Sequence, residues 1–111
     1  MNILDKLHQV LGSSASIKLG YFPDEPDDLS ALTEYNGSPP VHSFGGTDIT
    51  ENIQLRSRGS NSYETISSLA ATLNGYCDGE ISVIQVSSVL DIGRDDKGRQ
   101  EYTCNFKIFR Y

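Results

Sequence analysis

A chain of 111 residues with a formal charge of -6 and a pI near 4.7 has the size of one domain. That charge is wrong for a module gripping nucleic acid by its phosphates, which takes clustered lysine and arginine. No apolar run approaches the roughly 18 residues of a bilayer span, and Met1 to Lys6 reads as an amphipathic helix start and not as a signal peptide, so the protein is expected to be made and used in the cytosol.

In chain order, Ile3, Leu4, Leu7, Val10 and Leu11 recur at helical spacing, with Asn2 to cap the helix and Gly12 to end it. Ile17, Leu19 and Tyr21 then alternate with Lys18 and Gly20 as a strand. Residues 23–28 form a loop, because Pro23 and Pro26 break both helix and sheet pairing. Leu29 to Tyr35 is a second strand, closed by the turn residues Asn36 to Pro40, and Val41 to Asp48 reads as irregular. Ile53, Leu55 and Ser57 alternate with Gln54, Arg56 and Arg58, which predicts a strand with a basic outer face.

Asn61 with Glu64 three residues on resembles a capping box. The helix it opens carries Tyr63, Ile66, Leu69, Ala70 and Leu73 on one side and ends at Gly75. Ile84, Val86, Leu90 and Ile92 line one face of a strand, and Tyr102, Cys104, Phe106 and Ile108 line one face of the last; Asp95 to Gly98 is the turn between them. The order of elements predicts an α+β domain spanning residues 1–111, two helices packed on one face of a mostly antiparallel sheet, with one parallel pair at the crossover through the second helix.

Groups able to do chemistry are few. His8 lies on the polar face of the first helix and His42 in a loop, neither with a second metal ligand at the right spacing. The cluster Asp24, Glu25, Asp27 and Asp28 has carboxylates enough for a hard cation but lacks the spacing of a calcium loop, and Pro26 stiffens it. It reads as a solvated acidic loop or a contact for a basic partner. Between Asp91 and Arg99 carboxylates alternate with Arg94, Lys97 and Arg99, which cancels the field an ion would need. Gly45-Gly46 has no strand-to-helix context for phosphate. Arg56 and Arg58 fit a basic patch for phosphate, a plain solvated face or, the preferred reading with net negative charge elsewhere, ion-pair partners for a neighbouring chain's acidic loop. Cys77 and Cys104 fit no metal or redox spacing and read as reduced core residues. No catalytic constellation, metal site or cofactor is expected.

The segments Tyr21 to Asp27, Ala31 to Pro40, Ile53 to Arg58, Asn61 to Glu64 and Gly93 to Arg99 leading to Asn105-Phe106, taken in order, resemble the small minor capsid proteins of siphophages and their prophages. These are similar in organisation to tail terminator proteins. The resemblance implies a ring, commonly of six subunits, that caps the tail tube, ends its growth and offers the head connector a docking surface. DNA would pass through the lumen without specific binding, which an acidic lining favours. No enzymatic residues carry over. Asp24, Glu25, Asp27 and Asp28 on one side and Arg56 and Arg58 on the other are then expected at subunit or partner contacts, heterologous contacts of the kind that close into rings. Two other classes stay open: an adaptor of phage origin that binds a host protein, and a small metal-dependent hydrolase or nuclease.

Overall fold

The computed structural model describes residues 3–14, 16–34, 41–43, 46–48 and 50–110, with the backbone alone at 41–43, 46–48 and 50. In chain order the elements are α1 (Ile3–Val10), β1 (Ile17–Leu19), β2 (Leu29–Glu34), β3 (Val41–Ser43), β4 (Gly46–Asp48), β5 (Thr50–Arg58), α2 (Ser62–Leu73), β6 (Ile81–Gln85), β7 (Leu90–Arg94) and β8 (Gln100–Arg110). The architecture is α+β. Six strands form one sheet in the order β1-β2-β5-β8-β6, with β7 also paired to β8. Every pair is antiparallel except β1 with β2. The parallel pair therefore sits at the first edge and not at the α2 crossover, because β8 comes between β5 and β6.

Alternation along β8 fixes the core. Cys104, Phe106 and Ile108 are fully buried and face Leu55, Ile53 and Val83 across the ladders. Ile3 and Leu7 of α1 and Ile66, Ala70 and Leu73 of α2 join the same buried cluster, with Leu32 of β2. Removing a side chain the size of Phe106 from water is worth roughly 2–3 kcal/mol, so this cluster supplies much of the drive to fold.

Gly12 ends α1 through a Schellman closure: its φ is +88°, its N–H donates to the Gln9 carbonyl at 3.0 Å, and the Ser13 N–H donates to the His8 carbonyl at 2.8 Å. The start of α2 differs from expectation. Asn61 makes no side-chain cap; instead the Ser62 hydroxyl, buried, donates to the Gly59 carbonyl at 2.8 Å. Tyr63, expected on the core side of α2, is exposed and meets the Tyr102 ring edge-on at 5.4 Å.

Three further expectations are corrected. Residues 41–43 and 46–48 are not irregular: β3 and β4 pair as a two-stranded antiparallel sheet. The run from Ile84 to Ile92 is not one strand but parts of two, β6 and β7. Its apolar residues Ile84, Val86, Leu90 and Ile92 are exposed, while Ile81 and Val83 take the core. β6 and β7 lie end to end along β8, and from Gln85 (opposite Phe106) to Leu90 (opposite Thr103) the edge takes five residue steps against three on β8. Cys77 is exposed, whereas Cys104 is buried, and burial pushes its thiol pKa up. The cap expected at Asn2, the turn over 36–40, Gly45 and the side chain of His42 lie outside the described residues.

Candidate functional site

Arg56 and Arg58 alternate with the core residues of β5 and project from the sheet face opposite Leu55. They do not form an open basic face. The 21–28 loop, which contains a cis Glu25–Pro26 peptide, folds back over them. The Phe22 ring lies against both guanidinium groups, its centroid 4.3 Å from Cζ of Arg56 and 4.7 Å from Cζ of Arg58, so the ring's negative face meets two cations.

Arg58 is only 4% exposed. Its Nε donates to the Asp27 carbonyl at 3.2 Å, its Nη1 to the Pro23 carbonyl at 2.8 Å, and its Nη2 to the Pro26 carbonyl. One planar fork thus satisfies three loop carbonyls. Arg56 is half-exposed and makes a forked contact with Glu101 on β8, its Nε donating to Oε1 at 2.7 Å and its Nη2 to the same oxygen.

A second clamp comes from the β7–β8 hairpin. Arg99 is largely buried and donates through Nη2 to Asp24 Oδ1 at 2.8 Å, through Nη1 to the Asp24 carbonyl at 2.6 Å, and through Nε to Asp95 Oδ2 at 2.8 Å. Its Nη1 also lies 3.3 Å from Asp27 Oδ1, and Lys97 pairs with Asp24 Oδ2. The hydrogen bond from Lys97, then that from Arg99, lower the Asp24 pKa from 3.8 to about 2. Asp95 is partly desolvated, which opposes ionisation, yet bonds from the Arg99 side chain and from the Arg99 and Lys97 N–H groups leave its pKa lowered.

The third fixing point is Gly59, whose φ is +124°; a Cβ there would stand 1.8 Å from Asp28 Oδ1 and 2.9 Å from the Asp28 Cα. That oxygen accepts from the Ser60 N–H at 3.1 Å. The loop, the β5–α2 turn and the hairpin tip enclose an open polar groove of about 640 Å³ bordered by Asp27, Asp28, Arg94, Arg99, Gln100 and Tyr102 among others.

The structure thus brings Asp24, Asp27, Asp28, Arg56 and Arg58 to one region within the chain. Glu25, Asp24, Asp27 and Asp28 remain exposed at its surface while the backbone beneath is held by Arg58 and Arg99. Sequence reasoning missed Arg99 as the partner of the acidic loop, because it was balanced against its near neighbours and its partner lies 75 positions away. It also missed Asp78, which accepts from Lys6 Nζ at 2.8 Å, Tyr76 Oη at 2.8 Å and the N–H groups of Glu80 and Ile81 at 2.7 and 3.0 Å. The Lys6 contact, ahead of those N–H bonds, holds the Asp78 carboxyl well below the usual range and ties α1 to the α2–β6 turn. His8 is half-buried, its Nε2 2.7 Å from the Ser14 carbonyl oxygen. Among the described residues no three His, Cys, Asp or Glu side chains are grouped to hold a metal ion, and no helix is long and apolar enough to cross a membrane.

The family model described as "Bacteriophage tail terminator protein" matches residues 6–111. No curated protein matches the chain.

Proposed function

The chain belongs to the bacteriophage tail terminator family, and on that premise we propose that it is the subunit of a ring, six copies round, that closes the tail tube at the head–tail junction. It is a structural tail protein of a phage. In our reading it has one domain, with both helices on one face of the sheet, and it assembles in the cytoplasm of the bacterial host. The ring ends growth of the tube by occupying its last layer, presents a different face to the head connector, and lets DNA pass without holding it. It works by surface complementarity and not by catalysis.

The observation that carries this reading is the family match, which runs over all but the first five residues. The acidic loop supports it physically. An interaction loop has to be exposed in its side chains and fixed in its backbone, since ordering a free loop on contact costs conformational entropy. Here Arg58 and Arg99 do the fixing inside the chain. We place subunit or partner contacts on the outward carboxylates of Asp24, Glu25, Asp27 and Asp28, with the half-exposed Arg56 at their border and Arg58 holding the loop from below. Exposed carboxylates of one sign also disfavour adhesion to DNA.

The test is sedimentation velocity over a wide concentration range with negative-stain images of the purified chain, alone and with assembled tail tubes. Rings with a central hole, free or on tube ends, are the expected result. Tubes that keep growing in its presence, with no density added at their ends, would refute the reading.

A further inference from the structure

One edge of the sheet is open. Among the described residues β7 pairs with β8 alone, and all five of its residues are exposed. From Ile81 to Leu90 the sequence has no charged residue. Ile84, Val86, Leu90 and Ile92 are each between 45% and 50% exposed. Edges that stay in solvent carry lysine, proline, inward charges or a bulge to block pairing with another chain. The run from Ile81 to Leu90 carries no lysine, proline or charge, and β7 has two charges and one bulge.

The charges of β7 itself are Asp91 and Arg94, and a bulge decides where they point. Asp91 is opposite Tyr102, Gly93 opposite Glu101 and Arg94 opposite Gln100, which leaves Ile92 as the extra residue. Tyr102 and Gln100 are two apart on β8 and share a face, so Asp91 and Arg94 share it too. Gln100 Nε2 accordingly donates to Asp91 Oδ1 at 2.5 Å, and Arg94 borders the groove beside Gln100 and Tyr102.

We propose that β7 is the contact for a second copy of this chain, pairing antiparallel with its own counterpart across a two-fold axis. In that register Asp91 of each copy stands opposite Arg94 of the other, on the same face, and both ends of the contact are charge-matched. A parallel arrangement in register would set like charges against each other. Copies that carry a formal charge of -6 repel overall, and this edge is where they can meet with their charges in balance. The two aliphatic side chains of β7, Leu90 and Ile92, are about half exposed and amount to roughly 150–200 Å², well below the roughly 800 Å² a side of a standard complex. The dimer is therefore weak and concentration-dependent. It goes beyond the ring reading and does not depend on it, since ring contacts join unlike surfaces and this one joins like surfaces.

The experiment is sedimentation equilibrium of the full chain, Asp91→Arg, Arg94→Asp, and a one-to-one mixture of the two variants. Circular dichroism and thermal unfolding confirm that each is folded. The wild type should dimerise, and each variant alone, facing like charges, should associate roughly tenfold more weakly. The mixture should recover the wild-type affinity. Position 91 of the Asp91→Arg copy then faces position 94 of the Arg94→Asp copy with opposite charge, while the native pair forms at the second end. A mixture no tighter than its components, or a wild type without dimers at any concentration, would overturn the proposal. Rings seen on tubes in either case leave the ring reading standing, so the two fail separately.

Discussion

Arg99 and Asp24, 75 positions apart, are joined twice: Nη2 donates to the Asp24 carboxylate at 2.8 Å and Nη1 to the Asp24 carbonyl at 2.6 Å. The hairpin tip and the β1–β2 loop are thereby one surface. A guanidinium suits this double contact because its donors lie in a rigid plane.

The latch should be acid-sensitive. The Asp24 pKa falls from 3.8 to about 2 on folding, held there first by Lys97 and then by Arg99. A carboxyl with a depressed folded pKa adds stability at pH above its unfolded value and loses it as pH drops towards the folded one. The gap in melting temperature between the wild type and Asp24→Asn should therefore be full at neutral pH and close between about pH 4 and about pH 2. Because Asp24 is 66% exposed in its side chain, the gap should also shrink in high salt. A gap constant down to pH 2 would show that the carboxylate does not matter to the latch.

Gly59→Ala should be costly. The added Cβ meets Asp28 at 1.8 Å and the backbone has a φ of +124°. A loss of about 3 kcal/mol is expected from strain and clash together. Gly98→Ala is the control: its φ is +77°, but nothing lies within 4 Å of its Cβ, so about 1 kcal/mol is expected. Urea unfolding of the two variants measures the difference, and equal losses would remove the special role of the Gly59–Asp28 approach.

How much of this was legible beforehand follows from the range of each interaction. α1, the alternation of β5 and β8, and the loop at Pro23 and Pro26 depend on residues a few positions apart and are plain in the sequence. Arg58 looked like a cation for a neighbouring chain because its three acceptors lie 31 to 35 positions away and are backbone carbonyls, which no side-chain pattern displays. Ile84, Val86, Leu90 and Ile92 read as one face of a single strand because alternation shows neither where a strand breaks nor which face is buried; β6 buries the residues of opposite parity, Ile81 and Val83. Asn61 and Glu64 had the spacing of a cap, yet Ser62 reached the Gly59 carbonyl instead.

Arg58→Ala should free the loop without unfolding the chain. Three carbonyls lose a charged donor, but water can reach them once the loop lifts, so about 2 kcal/mol is expected and not more. Limited proteolysis should then cut within residues 21–28, and the wild type should resist cleavage there. Arg58→Lys should behave nearly as badly, since an ammonium lacks the planar fork that fits three acceptors. A wild-type digestion pattern from both variants would show that other contacts suffice.

Glu25→Gln with Asp27→Asn tests the outward carboxylates as contacts. Both side chains are exposed, and the loop backbone stays anchored through the Arg58 and Arg99 bonds to carbonyls. Stability should change by less than about 0.5 kcal/mol, while binding to assembled tubes or to itself should weaken and lose part of its salt dependence. Unchanged association in the folded double variant would move the contact elsewhere.

Ser30 and Ser57 form a hydroxyl pair at 2.7 Å, buried and directly opposite each other on β2 and β5. A single change strands one hydroxyl away from water, whereas removing both leaves only small apolar groups. Ser57→Ala and Ser30→Ala should each cost about 1–2 kcal/mol, and the double variant less than their sum, close to either single loss or below it. A double-mutant cycle by urea unfolding reads the coupling directly. Strict additivity would mean that each serine is satisfied independently, with no energetic link between β2 and β5 through this pair.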